Sequence, residues 1–291
     1  MAVLARRSTR VICQGLTGRA ATYHVARMVA YGMRLVAGVT PGKGGQRHLD
    51  VPIFDTVAEA VAATGATASL VFVPPENAAA AMIEAIDAGI GLIVCVTERV
   101  PVMDMIRVRQ RLAGTRTRLV GPNSQGILVP GETQLGVMST VNARRGPIGI
   151  ASRSASLTSE IVAQTTAVGL GQSTTIGVGG DPVHGIGLAE GVRLFLDDPA
   201  TEGIILIGEI GGSDEEEAAA LIKELKPKKP IVALVVGKNA PPERRMGHAG
   251  ALAVGRAGSA EAKINALREA GVIIAPRPDL VGMTMRQALV S

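Results

Sequence analysis

Short, nearly all-apolar runs that end at Gly, Pro, Ser or Thr constrain this chain more than any other feature. One series comprises RVICQG (10–15), RLVAGVT (34–40), SLVFVP (69–74), GLIVCVT (91–97) and RLVG (118–121). A second comprises GPIGIAS (146–152), QSTTIGV (172–178), GIILIGE (203–209), PIVALVVG (230–237) and VIIAP (272–276). They are rich in Val and Ile and nearly all apolar. That is the pattern of strands covered on both faces of a parallel sheet, with crossover helices between them. Helical periodicity fills the gaps and predicts helices over 78–88, 103–112, 213–225 and 259–270. The alternation restarts near Gly146, and 291 residues suffice for two cores. The chain therefore reads as α/β, with mainly parallel, doubly wound domains at 1–125 and 146–291. Residues 126–145, with few helical signals, read as the connection between them. In such sheets ligands lie beyond the carboxyl ends of the strands, so the segments that follow the strands carry the functional signal.

Composition narrows the function classes. Lys and Arg number 30 against 25 Asp and Glu, a surplus of five that is scattered along the chain. Nucleic acid is a poor partner for such a pattern, and small anionic ligands suit it better. Aromatic residues make up 2% with no Trp, so base or sugar stacking is disfavoured. Cys13 and Cys95 sit inside apolar runs and are too few for a disulfide framework or a zinc site. No metal ligand set is expected. The opening MAVLARRSTR lacks the apolar core of a secretory leader, and no run reaches membrane-spanning length. A cytoplasmic, reducing location is the expectation.

The first post-strand segment is GLTGRAAT (15–22). Its spacing departs from the dinucleotide fingerprint, and strand two ends in VTPGKGG (39–45) with Lys43 where a ribose-binding carboxylate would stand. This disfavours a nicotinamide oxidoreductase. The same stretch is one residue short of a Walker motif, with Gly44 in place of Ser or Thr. A cation in a glycine-rich turn beside a helix start suits a ligand with an extra phosphate, such as coenzyme A. A solvated turn lysine is the alternative reading.

In the second half, SRSASLTSE (152–160) puts Ser154, Ser156 and Thr158 at a predicted helix start. Free N–H groups there favour an anion, although Ser156, with Ser159 and Glu160 nearby, can equally serve as a helix cap. GEIGG (208–212) places Glu209 at a strand end, where it either caps the next helix or serves a site. RRMGHAGA (244–251) follows another strand and surrounds His248 with small residues. An imidazole beside a carboxylate is oriented and made a better nucleophile, and a nearby helix N-terminus can hold a phosphoryl group on it.

These stretches resemble the α subunit of succinyl-CoA synthetase, the NDP-forming acyl-CoA ligase (succinate–CoA ligase) family. The likeness runs over nearly the whole chain through TPGKGG (40–45), GATAS (65–69), VGLGQS (168–173), GGDP (179–182), TEGIILIGEIGG (201–212) and RRMGHAGA (244–251). The resemblance implies a Rossmann-like CoA-binding domain followed by a flavodoxin-like ligase domain. It implies that His248 is phosphorylated and that Glu209 orients it. It carries CoA contacts to Thr17, Gly18, Lys43, Val96, Thr97 and Glu98, with Arg19 and Ala20 at contact positions of changed identity. The phosphate site falls on Ser154, Ala155 and Ser156. A separate ATP-grasp β subunit, in an αβ or α2β2 assembly, would bind ATP or GTP with Mg.

Departures from the family pattern concentrate near the acid. GPNSQG has Ser124 and Gln125 where family members have Cys and Pro, and Ser159 stands where a tyrosine contacts the carboxylic acid. VMSTVNA (137–143) replaces a PGH segment, and Ala21 replaces a glycine near the coenzyme. Succinate is the expected acid. Malate or another di- or tricarboxylate is the runner-up, and a CoA-binding module without catalysis is the reading from a different class.

Overall fold

A computed structural model describes residues 3–241, 244–252 and 258–290. Among them, two seven-stranded sheets carry the fold. In chain order the first half comprises β1 (Arg10–Gln14), α1 (Arg19–Tyr31), β2 (Arg34–Val39), β3 (Arg47–His48), β4 (Val51–Phe54), α2 (Val57–Thr64), β5 (Ala68–Val71), α3 (Pro75–Asp87), β6 (Leu92–Cys95), α4 (Val102–Leu112) and β7 (Arg118–Val120). Its sheet order is β3-β4-β2-β1-β5-β6-β7, parallel except for β3 against β4. The order reverses at β1, so the segments after β1, β2 and β5 open onto one crevice.

The second half comprises β8 (Gly126–Val129), β9 (Thr133–Gly136), β10 (Arg145–Ser152), α5 (Ala155–Ala167), β11 (Gln172–Gly177), α6 (Leu188–Asp197), β12 (Gly203–Glu209), α7 (Asp214–Leu225), β13 (Ile231–Val236), α8 (Ala260–Glu269), β14 (Ile273–Ile274) and α9 (Val281–Ala288). Here the order is β14-β13-β12-β10-β11-β8-β9, parallel from β14 to β11. β10 from Ile148 onward, β12 and most of β13 are buried, as the apolar runs predict, and β11 is buried throughout although Gln172, Ser173, Thr174 and Thr175 are polar.

The stretch 126–145 departs from its reading as a plain connection. β8 and β9 form a hairpin around Pro130-Gly131, and β8 pairs antiparallel with β11. Its strands are short and bury the polar residues Thr133 and Gln134, which hides them from an apolar-run criterion. Gln134 is tolerated because its Nε2 donates to the Met138 carbonyl at 2.5 Å. α1 covers the hairpin. Gly136 N–H points at Met28 Sδ (3.3 Å), and Gly131 N–H donates to the Tyr31 hydroxyl (3.0 Å). One continuous apolar cluster consequently runs from Val11 and Val25 through Ile127 and Leu135 to Ile176 and Ile204. Cys13 and Cys95 are buried free thiols, and burial pushes both up. Among the described residues no helix is long and apolar enough to cross a membrane.

Candidate active site

β12 ends at Glu209, which is 6% exposed. Its carboxylate meets His248 Nδ1 at 3.0 Å from Oε1 and 2.9 Å from Oε2. The hydrogen bond that Nδ1 donates to Glu209 raises the imidazole above its ordinary pKa, against the opposing effect of burial. With Nδ1 engaged, Nε2 is the nitrogen left to react. The His248 side chain keeps 29% of its exposure, so a ligand can reach it.

The small residues of RRMGHAGA have a steric purpose. A methyl on Gly180 would stand 2.5 Å from Cγ and Nδ1 of His248, so the ring rests on that glycine's α-carbon. Gly250 N–H donates to the Gly180 carbonyl (3.3 Å), and the Gly250 carbonyl lies where a side chain on Gly211 would be. Ala251 N–H donates to the His248 carbonyl (3.1 Å), which closes a turn around the histidine.

Beneath Glu209 lies a buried ionic layer that sequence reasoning missed. Arg153, 3% exposed, reaches Glu209 Oε1 with Nη2 at 3.3 Å. Its Nη1 contacts the Gly211 carbonyl at 2.9 Å and Glu215 Oε1 at 3.3 Å. Lys263, fully buried, donates to Glu215 Oε2 (2.5 Å), Glu216 Oε2 (2.7 Å) and the Gly212 carbonyl (2.9 Å). A charged residue inside SRSAS, next to three candidate hydroxyls, was the available signal for Arg153. Nothing in the local pattern marks Lys263, a helical lysine whose burial is a tertiary fact.

Asp181 of GGDP also lies near His248. One oxygen accepts from Asn123 Nδ2 at 3.0 Å, while Oδ2 is buried without a partner and burial raises the carboxyl above its usual range. Asn123 in turn donates its N–H to the Thr97 carbonyl (2.8 Å), and Thr97 Oγ1 donates to the Val73 carbonyl (2.7 Å). Val96, Thr97 and exposed Glu98 follow β6, so the rim of the first sheet meets the histidine side of the second through Asn123.

On the crevice of the first sheet, α1 begins after Gly18 with no side-chain cap on its first N–H groups. Lys43 crosses from the turn after β2 and donates to the Thr17 hydroxyl at 3.1 Å. Arg19 and Ala20 occupy the exposed first turn, whereas Ala21 turns its methyl into the core and leaves the crevice clear. Uncapped N–H groups, a lysine and an exposed first turn form a cradle that fits a phosphate-bearing coenzyme.

Ser154 is the N-cap of α5 and accepts from Leu157 N–H at 3.4 Å, so the helix start is capped, but by Ser154 and not by Ser156 as the sequence suggested. Ala155 and Ser156 remain exposed at the helix start. Gln125 Nε2 donates to Thr158 Oγ1 (2.6 Å), which donates to the Ser154 carbonyl (2.5 Å), so Gln125 supports that helix start from below. Ser124 is 4% exposed and its hydroxyl donates to the Gly177 carbonyl (2.5 Å) while accepting from Gly126 N–H (2.8 Å). Its expected contact with an acid thus lacks a free donor. Ser159 is half-buried on α5, one residue past Thr158. Among the described residues no group of three or more His, Cys, Asp or Glu side chains is arranged to hold a metal ion.

Residues 6–99 match the family model described as a CoA binding domain, and residues 151–273 match the one described as CoA-ligase. The ADP-forming succinate–CoA ligase subunit α of Aquifex aeolicus is 48% identical, with 99% of this chain and 95% of the relative covered. Its counterpart from Staphylococcus aureus is 46% identical at the same coverage. The structure of ATP citrate lyase from Methanothrix soehngenii, in complex with citrate and coenzyme A, superposes with a TM-score of 0.88 at 25% identity. That match covers 99% of this chain and 50% of the lyase chain, so the present chain spans about half the lyase's length.

Proposed function

This chain belongs to the family of ADP-forming succinate–CoA ligase α subunits, and we propose that it works as the α subunit of an NDP-forming acyl-CoA ligase. The reaction joins a small dicarboxylic acid to coenzyme A while a nucleoside triphosphate becomes diphosphate and phosphate. The observation that carries the reading is the His248–Glu209 pair, with Nδ1 bonded at 2.9 Å and Nε2 left free.

In this reading Nε2 of His248 takes the γ-phosphoryl group and releases the nucleoside diphosphate. The carboxylate of the acid then displaces the imidazole from phosphorus to give an acyl phosphate. The coenzyme thiol attacks the acyl carbon and phosphate leaves. Glu209 holds the ring and balances its charge, and the exposed N–H groups at Ala155 and Ser156 receive phosphoryl oxygens. The crevice formed by Thr17, Gly18, Arg19, Ala20 and Lys43 holds the coenzyme phosphates. Val96, Thr97 and Glu98 line the route toward His248. The nucleotide, as ATP or GTP with Mg, belongs to an ATP-grasp β subunit in an αβ or α2β2 assembly.

Succinate is the acid that the names of the relatives support. Ser159 and Gln125 favour testing malate beside it. Co-expression with the β subunit, followed by CoA-dependent ADP release on succinate, malate, citrate and itaconate, tests the reading. Acid-labile label from γ-labelled ATP should appear on His248 and vanish in His248→Asn. Absence of that label from the active wild-type complex would overturn it.

A further inference from the structure

We propose that Arg153 is the positioning residue of the phosphate-carrying histidine, fixing the Glu209 carboxylate from beneath so that Nδ1 of His248 is always the bonded nitrogen. The proposal rests on the function given above. Glu209 is nearly buried, and a buried carboxylate without a partner is costly. His248 cannot be its sole partner, because that ring gains and loses charge as it is protonated, phosphorylated and discharged. Arg153 is the permanent one, since a guanidinium does not lose its proton.

The geometry makes Arg153 a brace and not merely a counter-charge. One terminal nitrogen points to Glu209 Oε1, and the other to the Gly211 carbonyl and Glu215. Glu215 Oε1 also accepts from Glu209 N–H at 2.9 Å, and Lys263 locks the second oxygen of Glu215. The carboxyl end of β12 and the first turn of α7 are thereby tied into one buried layer. Gly250 approaches Arg153 Nη2 from the histidine side, so nothing larger separates the brace from the loop. The charged groups acting on His248 are Glu209 from β12, Arg153 from the end of β10, and Asp181 from the loop after β11. Arg153 opposes a proton on His248 while Glu209 and Asp181 favour it. Arg153 therefore also limits how far the ring's affinity for a proton rises, which keeps Nε2 available.

The test uses the full αβ complex and the pH profile of His248 labelling by γ-labelled ATP. Arg153→Gln combined with Glu215→Gln removes one charge of each sign from the layer. Losing a charge-assisted bond of this kind predicts labelling slowed about 10- to 100-fold. The acid limb of the profile should move to higher pH, with KM for coenzyme A unchanged. Arg153→Lys retains the charge but loses the fork, so the limb should stay in place while the rate falls about 10-fold. Should the double variant not fold, Arg153→Lys decides alone, and wild-type labelling in it overturns the proposal. Wild-type rate and limb position in the double variant overturn it as well. A wild-type complex that takes no label overturns instead the function on which the proposal rests.

Discussion

The imidazole of His248 sits directly on the α-carbon of Gly180, with no room for a methyl group between them. Gly180 comes from the loop after β11, Glu209 from the end of β12, and His248 from the segment after β13. Three strand ends on one rim of the second sheet thus supply the floor, the carboxylate and the imidazole.

Gly180→Ala should displace the ring while leaving the backbone in place, because the added methyl meets only the imidazole among its nearest neighbours and Gly180 is not held at positive φ. Overpacking of roughly 1–3 kcal/mol at this contact corresponds to about a 5- to 150-fold slower phosphorylation of His248. Labelling kinetics and coenzyme affinity, measured on the same complex, separate a local effect from a global one. An active variant with normal labelling would contradict the packing described.

Glu209→Gln keeps the shape of the pair but removes the charge. Loss of a charge-assisted hydrogen bond, about 1.5–3 kcal/mol, predicts phosphohistidine formation reduced roughly 10- to 150-fold. The imidazole pKa should fall in this variant, since the Glu209 bond is the largest influence raising it. Titration of His248 by NMR in the two proteins reads both effects.

Acid should silence the reaction at a higher pH than an ordinary histidine would. The native His248 pKa is raised, so Nε2 becomes protonated, and useless as a nucleophile, as pH falls through a value above the usual 6.5 or so. Stability runs the other way. The His248–Glu209 pair contributes fully below the unfolded-state value and is lost as pH rises through the higher native one. Comparing wild type and His248→Ala by urea titration across that window should show a difference that shrinks with increasing pH.

Lys43→Ala should weaken coenzyme binding without touching the histidine. Lys43 is exposed and its amine is free to leave Thr17 for a phosphate, so a rise of about 3- to 10-fold in KM for coenzyme A is expected, with kcat kept. Raising the salt concentration should narrow the difference between the two proteins.

Much of the architecture was legible because its strands are buried on both faces. β10, β12 and β13 are apolar runs read from the chain, the largely polar β11 falls where a strand was expected, and α4, α7 and α8 follow the expected helices within a residue or two. Helix α2 escaped that reading although Thr56 and Glu59 form a capping box, a signal available in the letters. The hairpin of β8 and β9 escaped for a different reason. Thr133 and Gln134 are polar residues in its interior: the Met138 carbonyl accepts from Gln134, the Thr133 hydroxyl is buried without a partner, and α1, a distant helix, provides their cover.

By itself the sequence determined two mainly parallel sheets, the strand ends at which candidate residues gather, and the chemistry available at His248, Glu209 and Lys43. It did so because apolar periodicity and reactive residue types are local properties of the chain. Only the tertiary structure decided which groups meet. It alone brings Arg153, Glu215 and Lys263 beneath Glu209, commits the Ser124 hydroxyl to backbone, and seats a histidine on Gly180. Those choices depend on burial and on contacts between strand ends far apart in the chain, and no local pattern encodes them.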